Sequence, residues 1–422
     1  MPQVSKCVEK CIGKRGAFRP TSFLFGVLVI AGLAPSPAVG QESTDPLIAT
    51  QDVLDDRSEA VRANDREAFL ATVDPKAPSA FRGAQARYFD GLTSLPLESF
   101  ALTAQIEDTG DLSAAAAGEY GGDPVFLPET RQLYRIAGYD DRDALANLWL
   151  TFVQRDDRWY VGGDDDLESL GLDTDRGLWD LGPVRLETRP RVAVISHPDQ
   201  ATRAAAIADL AETAMTRLAQ VWDQPWSQRV PIILPSSTAD LERLLLSTID
   251  LDKFVAFASY RLSEDEDFSG SAPRILVQDS RLSRYPAQTQ VETLVHELLH
   301  AAAASKAGPF VPLWVHEGVA DWAATGRGGA SRAPAGSDGE LPRGFELSSG
   351  SQAAISRSYR ESRSAIALLA ERSGAGAPRA FFEALGSIRV APGDDDYQVD
   401  VALQKVAGQG FADFERAWAA RR

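Results

Sequence analysis

VETLVHELLHAAAA, Val291–Ala304, is the stretch from which the rest of the chain is best read. Its Ala, Leu, Glu and Val content and its flanks predict a helix over Gln288–Ser305. On that helix His296 and His300 stand four residues apart, so both rings project from one face and can grip one ion. Glu297 follows the first His directly, where its carboxylate can reach a water on that ion. This is the HExxH arrangement of hydrolytic zinc sites. The chain has 4 His in 422 residues, so such a pattern arises by chance on the order of a few times per thousand chains of this kind.

Two helical His do not complete a catalytic zinc site, which takes three protein ligands and leaves a fourth position open. Ala303 and Lys306 stand where the extended metzincin motif requires Gly and His, so that class is excluded. Downstream lies PLWVHEGVADW, Pro312–Trp322, with Glu317 and Asp321 again four apart. One carboxylate can ligate while the other accepts the second N–H of a ligand His, which fixes the ring's tautomer and orientation. His316 adjoins Glu317 and on a helix points roughly 100° away, which argues against ligation. His197, in ISHPD, reads as a strand-end or loop residue, and Trp314 and Trp322 as packing residues.

HELLH, sixteen residues, then Glu-Gly-x-Ala-Asp preceded by Trp314, resembles the gluzincins, the peptidase MA-like zinc proteases. The resemblance implies His296, His300 and Glu317 as Zn2+ ligands, Glu297 as general base and Asp321 behind a ligand His. It implies a peptide or protein substrate lying along the strand at Arg274–Gln278 as an edge. Some gluzincins supply a Tyr from a helix after the Glu ligand, and Tyr359, 42 residues past Glu317, is the candidate here for stabilising the oxyanion. The stretches SYRESRSAIALLAERSG and DYQVDVALQKVAGQGFADFERAW look like the helical tail of such proteins. The likeness runs over Arg191–Trp418.

The surrounding pattern is α+β. Strands are predicted at Arg191–Ser196, Arg229–Leu234, Phe254–Tyr260 and Arg274–Gln278, with helices at Thr202–Trp222 and Asp240–Leu246. Beyond Gln288 everything is helical: Leu313–Thr325, Ser351–Arg372, Arg379–Leu385, Val399–Val406 and Phe411–Ala420. A mixed sheet followed by a helical C-terminal half defines one domain, 186–422. Before it, 41–185 reads as a smaller α+β domain. Leu47–Thr72 is helical, strands follow at Ser99–Glu107, Arg131–Ile136, Ala146–Gln154 and Trp159–Val161, Gly110–Gly122 reads as a loop and Asp164–Asp180 as an acidic linker. A helical start and a meander closing on TFVQRDDRWYVGG (Thr151–Gly163) resemble the nuclear transport factor two-like, cystatin-like cone fold.

Composition limits the functions available. A content of 44% apolar and 24% charged residues is that of a globular chain, and a net charge of −17 denies a nucleic-acid backbone the basic footprint it needs. Residues 1–40 read as a secretory signal: Lys6, Lys10, Lys14, Arg15 and Arg19, an apolar run Phe23–Ala34, then Ala38-Val39-Gly40 before Gln41. Twelve apolar residues span about 18 Å as a helix against roughly 30 Å of hydrocarbon, so no stable membrane anchor is expected. The protein is expected outside the cytoplasm. Both cysteines, Cys7 and Cys11, fall in that leader, so the mature chain has no disulfide. The runs at Asp164–Asp166, Glu264–Asp267 and Asp394–Asp396 lack the ligand spacing of a calcium loop. No Gly-x-Ser-x-Gly elbow occurs. Two rival functions remain in view: a zinc-bound module with no proteolytic activity, and an N-terminal domain that binds a small ligand or inhibits its neighbour.

Overall fold

The computed structural model describes residues 45–421, apart from 109–111, 113, 247–249, 263–269, 308–310, 326–330, 344–350 and 389–394. The expected secretory signal with its two cysteines and the acidic run Glu264–Asp267 lie outside the described residues. The first half opens with α1 (Pro46–Ala63), α2 (Arg66–Leu70) and α3 (Ser79–Leu92), so the stretch Leu47–Thr72 is two helices rather than one. Asn64, in the left-handed conformation, ends the first, and Asp65 caps the second through Ala68 N. Next come β1 (Leu97–Asp108), α4 (Ala114–Glu119), β2 (Val125–Phe126), β3 (Pro128–Ile136), β4 (Ala144–Trp149), β5 (Thr151–Arg155) and β6 (Arg158–Gly163). They form two antiparallel three-stranded sheets, ordered β1-β3-β4 and β2-β5-β6.

Three expectations for this half are corrected. Ala146–Gln154 is not one strand: the chain leaves one sheet for the other at Leu150, which is buried at the corner. Gly110–Gly122 contains α4. Asp164–Asp180 is no linker. Its carboxylates and hydroxyls serve the backbone of β4: Asn147 N donates to Asp175 Oδ2 at 2.9 Å and Trp149 N to Thr174 Oγ1 at 3.0 Å. The segment thereby covers an edge strand. Asp166 accepts from Tyr120 at 2.6 Å, Arg176 pairs with Asp164 at 2.6 Å, and α5 (Leu178–Leu181) buries Leu178 and Trp179.

The second half is organised by a mixed five-stranded sheet in the order β10-β11-β9-β8-β7. It contains β7 (Arg185–Thr188), β8 (Val192–Ser196), β9 (Val230–Leu234), β10 (Ala256–Leu262) and β11 (Gly270–Val277). Strands β8, β9 and β11 run parallel, with an antiparallel strand at each edge. Every residue of β8 and of β9 is buried, as near-continuous apolar strands covered on both faces must be. The strand expected at Arg274–Gln278 is therefore interior. β10 is the edge on that side, because the hairpin-like return of β11 places the earlier strand outermost. Helices α6 (Ala201–Leu218) and α7 (Thr238–Leu245) belong to the sheet region. Then follow α8 (Asp279–Leu282), α9 (Ala287–Ala307), α10 (Leu313–Ala324), α11 (Gln352–Ser373), α12 (Ala377–Ser387), α13 (Asp395–Ala407) and α14 (Phe411–Ala419). The architecture is mixed α and β with a helical C-terminal half, as expected. Among the described residues no helix is long and apolar enough to cross a membrane.

Helix α9 is the centre of this half. It packs against β10 and β11, and against α6, α10 and α12. From Val291 to Ala304 only Glu292 escapes full burial, so the helix is covered all round. The other face of the sheet is covered by the first half of the chain. Tyr134, Ala144 and Trp179 line a cavity of about 110 Å³ together with Ile233, Tyr260 and Leu276. Arg274, 7% exposed, reaches out of β11 and donates to Asp140 through Nη1 at 2.5 Å and Nη2 at 2.7 Å.

Removing Asp140 leaves a buried guanidinium without its counter-ion, a loss of about 3–5 kcal/mol. Asp140→Ala should therefore lower the unfolding midpoint in denaturant, and a fragment of residues 185–422, which keeps all five strands, should bind an apolar dye through its bare sheet. A variant with an unchanged midpoint would show that the pair does not join the halves. A pH effect follows from Asp180, whose side chain is 13% exposed and accepts from Gly177 N at 2.7 Å. Burial, opposed by Arg176, raises its carboxyl from 3.8 to about 7. Between those values the folded chain holds a proton that the unfolded chain has lost, so stability is fully present below pH 3.8 and falls as pH rises to about 7. Asp180→Asn should match the parent at pH 4 and melt higher at pH 8, with roughly 2–4 °C for each kcal/mol. Equal melting at both pH values would dismiss this account.

Candidate metal centre

Helix α9 presents His296 and His300 one turn apart, with ring centroids 4.8 Å from each other. Helix α10 crosses it and presents Glu317 and Asp321, also one turn apart. The two helices meet so that Glu317 Oε2 lies 3.1 Å from His296 Nε2 and 3.7 Å from His300 Nε2. Asp321 Oδ1 lies 3.2 Å from the opposite ring nitrogen, Nδ1 of His296. His296 is thus held between two carboxylates. Asp321 accepts from Nδ1, which turns Nε2 toward Glu317 and His300.

His296, His300 and Glu317 form a buried group whose ligand atoms all lie within 4.8 Å of one another, and it could hold a metal ion. Bonds of about 2.0–2.1 Å in a tetrahedral arrangement separate neighbouring ligand atoms by roughly 3.4 Å, close to the spacings found between Glu317 and the two rings. A second observation concerns His300. Its ring is 1% exposed, yet neither nitrogen has a hydrogen-bond partner. A buried polar group left unsatisfied costs about 1–3 kcal/mol, and a metal ion on Nε2 removes that penalty for one nitrogen. Two imidazoles and a carboxylate are a borderline donor set suited to a divalent transition ion.

Electrostatics in the metal-free chain follow from the same contacts. Burial alone would lower His296, but the bonds to Asp321 and Glu317 outweigh it and raise the imidazole well above its usual value. Burial alone would raise Glu317, but His300 and His296 hold it below the ordinary carboxylate range. Burial lowers His300 despite Glu317. The metal-free site therefore carries a proton on His296 that an incoming cation must displace.

The structure brings together all six residues singled out from the sequence. Glu297, beside His296 on α9, is fully buried in the same region. Tyr359, on α11, has its ring centroid 6.1 Å from that of His296, and its hydroxyl interacts with the Glu317 carboxylate. Burial, then the nearby carboxylates of Glu317, Asp321 and Glu297, push its phenol up, so it stays a donor at neutral pH. His316 is outside the ligand group, as its helical phase requires. Its ring meets Phe382 edge-on at 4.9 Å, and burial followed by His300 lowers it to about 3, which keeps it neutral. His197 lies just past β8, with Nδ1 2.7 Å from Pro183 O, and Trp314 and Trp322 are core residues. Phe382 of α12 was not singled out from the sequence, because an aromatic ring that packs on His316 leaves no spacing signal. No protein-family model and no curated protein matches this chain.

Loading and stripping the purified chain tests the centre. Elemental analysis should find about one divalent ion per chain and none in His300→Ala. A chelator should lower the melting temperature of the parent alone, since an ion at 100 times its dissociation constant adds about 2.7 kcal/mol. No ion in the parent after reconstitution would overturn the assignment.

Proposed function

We propose that the chain is an exported zinc metallopeptidase, cleaving peptide bonds at the site where α9, α10 and α11 meet. The observation that carries the reading is the convergence of His296, His300 and Glu317 with a second acid, Glu297, that no ligand role requires. Zinc is the ion best suited to this donor set, and when bound it supplies a Lewis acid that acidifies water and polarises a carbonyl. Glu297 takes a proton from the attacking water as its oxygen bonds to the carbonyl carbon. It then passes that proton to the amine as the C–N bond breaks, leaving a carboxylic acid and a free amine. Tyr359 donates its hydroxyl to the carbonyl oxygen, where negative charge develops. Asp321 keeps His296 in the tautomer whose Nε2 faces the ion. A peptide adding to the sheet as a strand would use β10, the edge beside α9. Export rests on the leader alone.

A second reading has one observation in its favour. His296, Glu297 and Glu317 are 0% exposed and His300 1%, the degree of enclosure expected of a metal centre that stabilises a fold without turning over substrate. Glu297→Gln separates the two. The metallopeptidase reading expects metal content and melting temperature to stay as in the parent while hydrolysis of a mixed peptide library falls by about 10²–10⁴. Equal turnover by parent and variant would remove Glu297 from the chemistry. A parent that holds metal and cleaves nothing would leave the structural reading standing.

A further inference from the structure

Helix α11 lies against α10 with almost no space between their backbones at one point. Gly318 follows Glu317 directly. A Cβ built on it would sit 2.9 Å from the carbonyl oxygen of Ser362 and 2.9 Å from Ile366 Cγ1. Ordinary contacts of this kind are about 3.5–4.0 Å. The Ile366 side chain could rotate away, but the Ser362 carbonyl is helix backbone and moves only with α11 as a whole. Tyr359, Ser362 and Ile366 follow one another at helical spacings of three and four, so they share a face of α11. All three are buried, at 4%, 0% and 1% exposure. That face carries Tyr359 to the metal centre, one turn from the contact, with its ring 6.1 Å from that of His296.

We propose that Gly318 is a positioning residue: by lacking a side chain it lets the α11 backbone seat on α10, and so brings the Tyr359 hydroxyl to the metal centre. This rests on the reading of that centre as hydrolytic only where turnover is concerned. A methyl group at 318 forces the helices apart by roughly half an ångström or more to restore normal contact. Glu317 is anchored by its neighbours on α9, whereas Tyr359 reaches the centre only as far as α11 carries it. The displacement therefore falls on the Tyr359 contact, and the metal ligands stay together.

A four-member cycle of the full chain, namely parent, Gly318→Ala, Tyr359→Phe and the double variant, tests this by two readouts. In metal-free protein Tyr359→Phe should lower the melting temperature by roughly 2–4 °C through loss of the hydroxyl's interaction with Glu317. In the Gly318→Ala background the same change should have almost no effect. In metal-loaded protein each single variant should keep about one ion per chain and a KM within about twofold of the parent, with kcat reduced by about 10–10². The double variant should be no worse than either single one. Additive effects in the melting cycle, or loss of metal from Gly318→Ala, would overturn the proposal, since the strain would then fall elsewhere. A parent without peptidase activity would defeat the functional reading, while the melting cycle would still decide the role of Gly318.

Discussion

Four ionisable side chains, His296, Glu297, His300 and Glu317, are removed from water where α9 crosses α10. An isolated buried charge is very costly, and a buried pair is tolerated only when its geometry and remaining hydrogen bonds are satisfied. Glu317 lies within 3.7 Å of both rings, and Asp321 takes the far nitrogen of His296. The crossing of the two helices is thus set by charge compensation as much as by packing. A metal ion at the vertex would satisfy what the protein alone leaves open at His300.

The rest of the fold holds that crossing in place. An α-helix buried on every side needs partners on every side, and α9 finds them in β10, β11, α6, α10 and α12. A sheet that covers such a helix on one face must itself be covered on the other. Here the first half of the chain does this, with Arg274 and Asp140 joining the layers. The two halves therefore share an interface on the reverse of the sheet that supports the metal centre.

Much of the site was legible from residue identity. A His pair at i and i+4 with an intervening Glu, and an acid pair at i and i+4 farther on, specify facing stripes on two helices whatever surrounds them. Tyr359 was legible only through a resemblance, because a single Tyr on an amphipathic helix has no signal of its own. Phe382 and the close seating at Gly318 were not legible, since both depend on which neighbour lies opposite. The misread segment 164–180 shows the same limit. Its aspartates look solvated in sequence, yet Asp166 and Asp175 are acceptors for Tyr120 and for the backbone of β4.

The sequence by itself determined the cluster of His296, His300, Glu317 and Asp321, the helices that carry it and the succession of strands before helices, because these follow from short-range periodicity and from the valence of the side chains. Strand order was decided only in the tertiary structure. That Arg274 lies on an interior strand and β10 at the edge depends on hydrogen bonding between segments far apart in the chain, and no local pattern distinguishes a strand with one partner from a strand with two. The same holds for the break at Leu150, where one strand-like stretch is divided between two sheets by the packing around it. Local residues choose the element, and long-range burial chooses its neighbours.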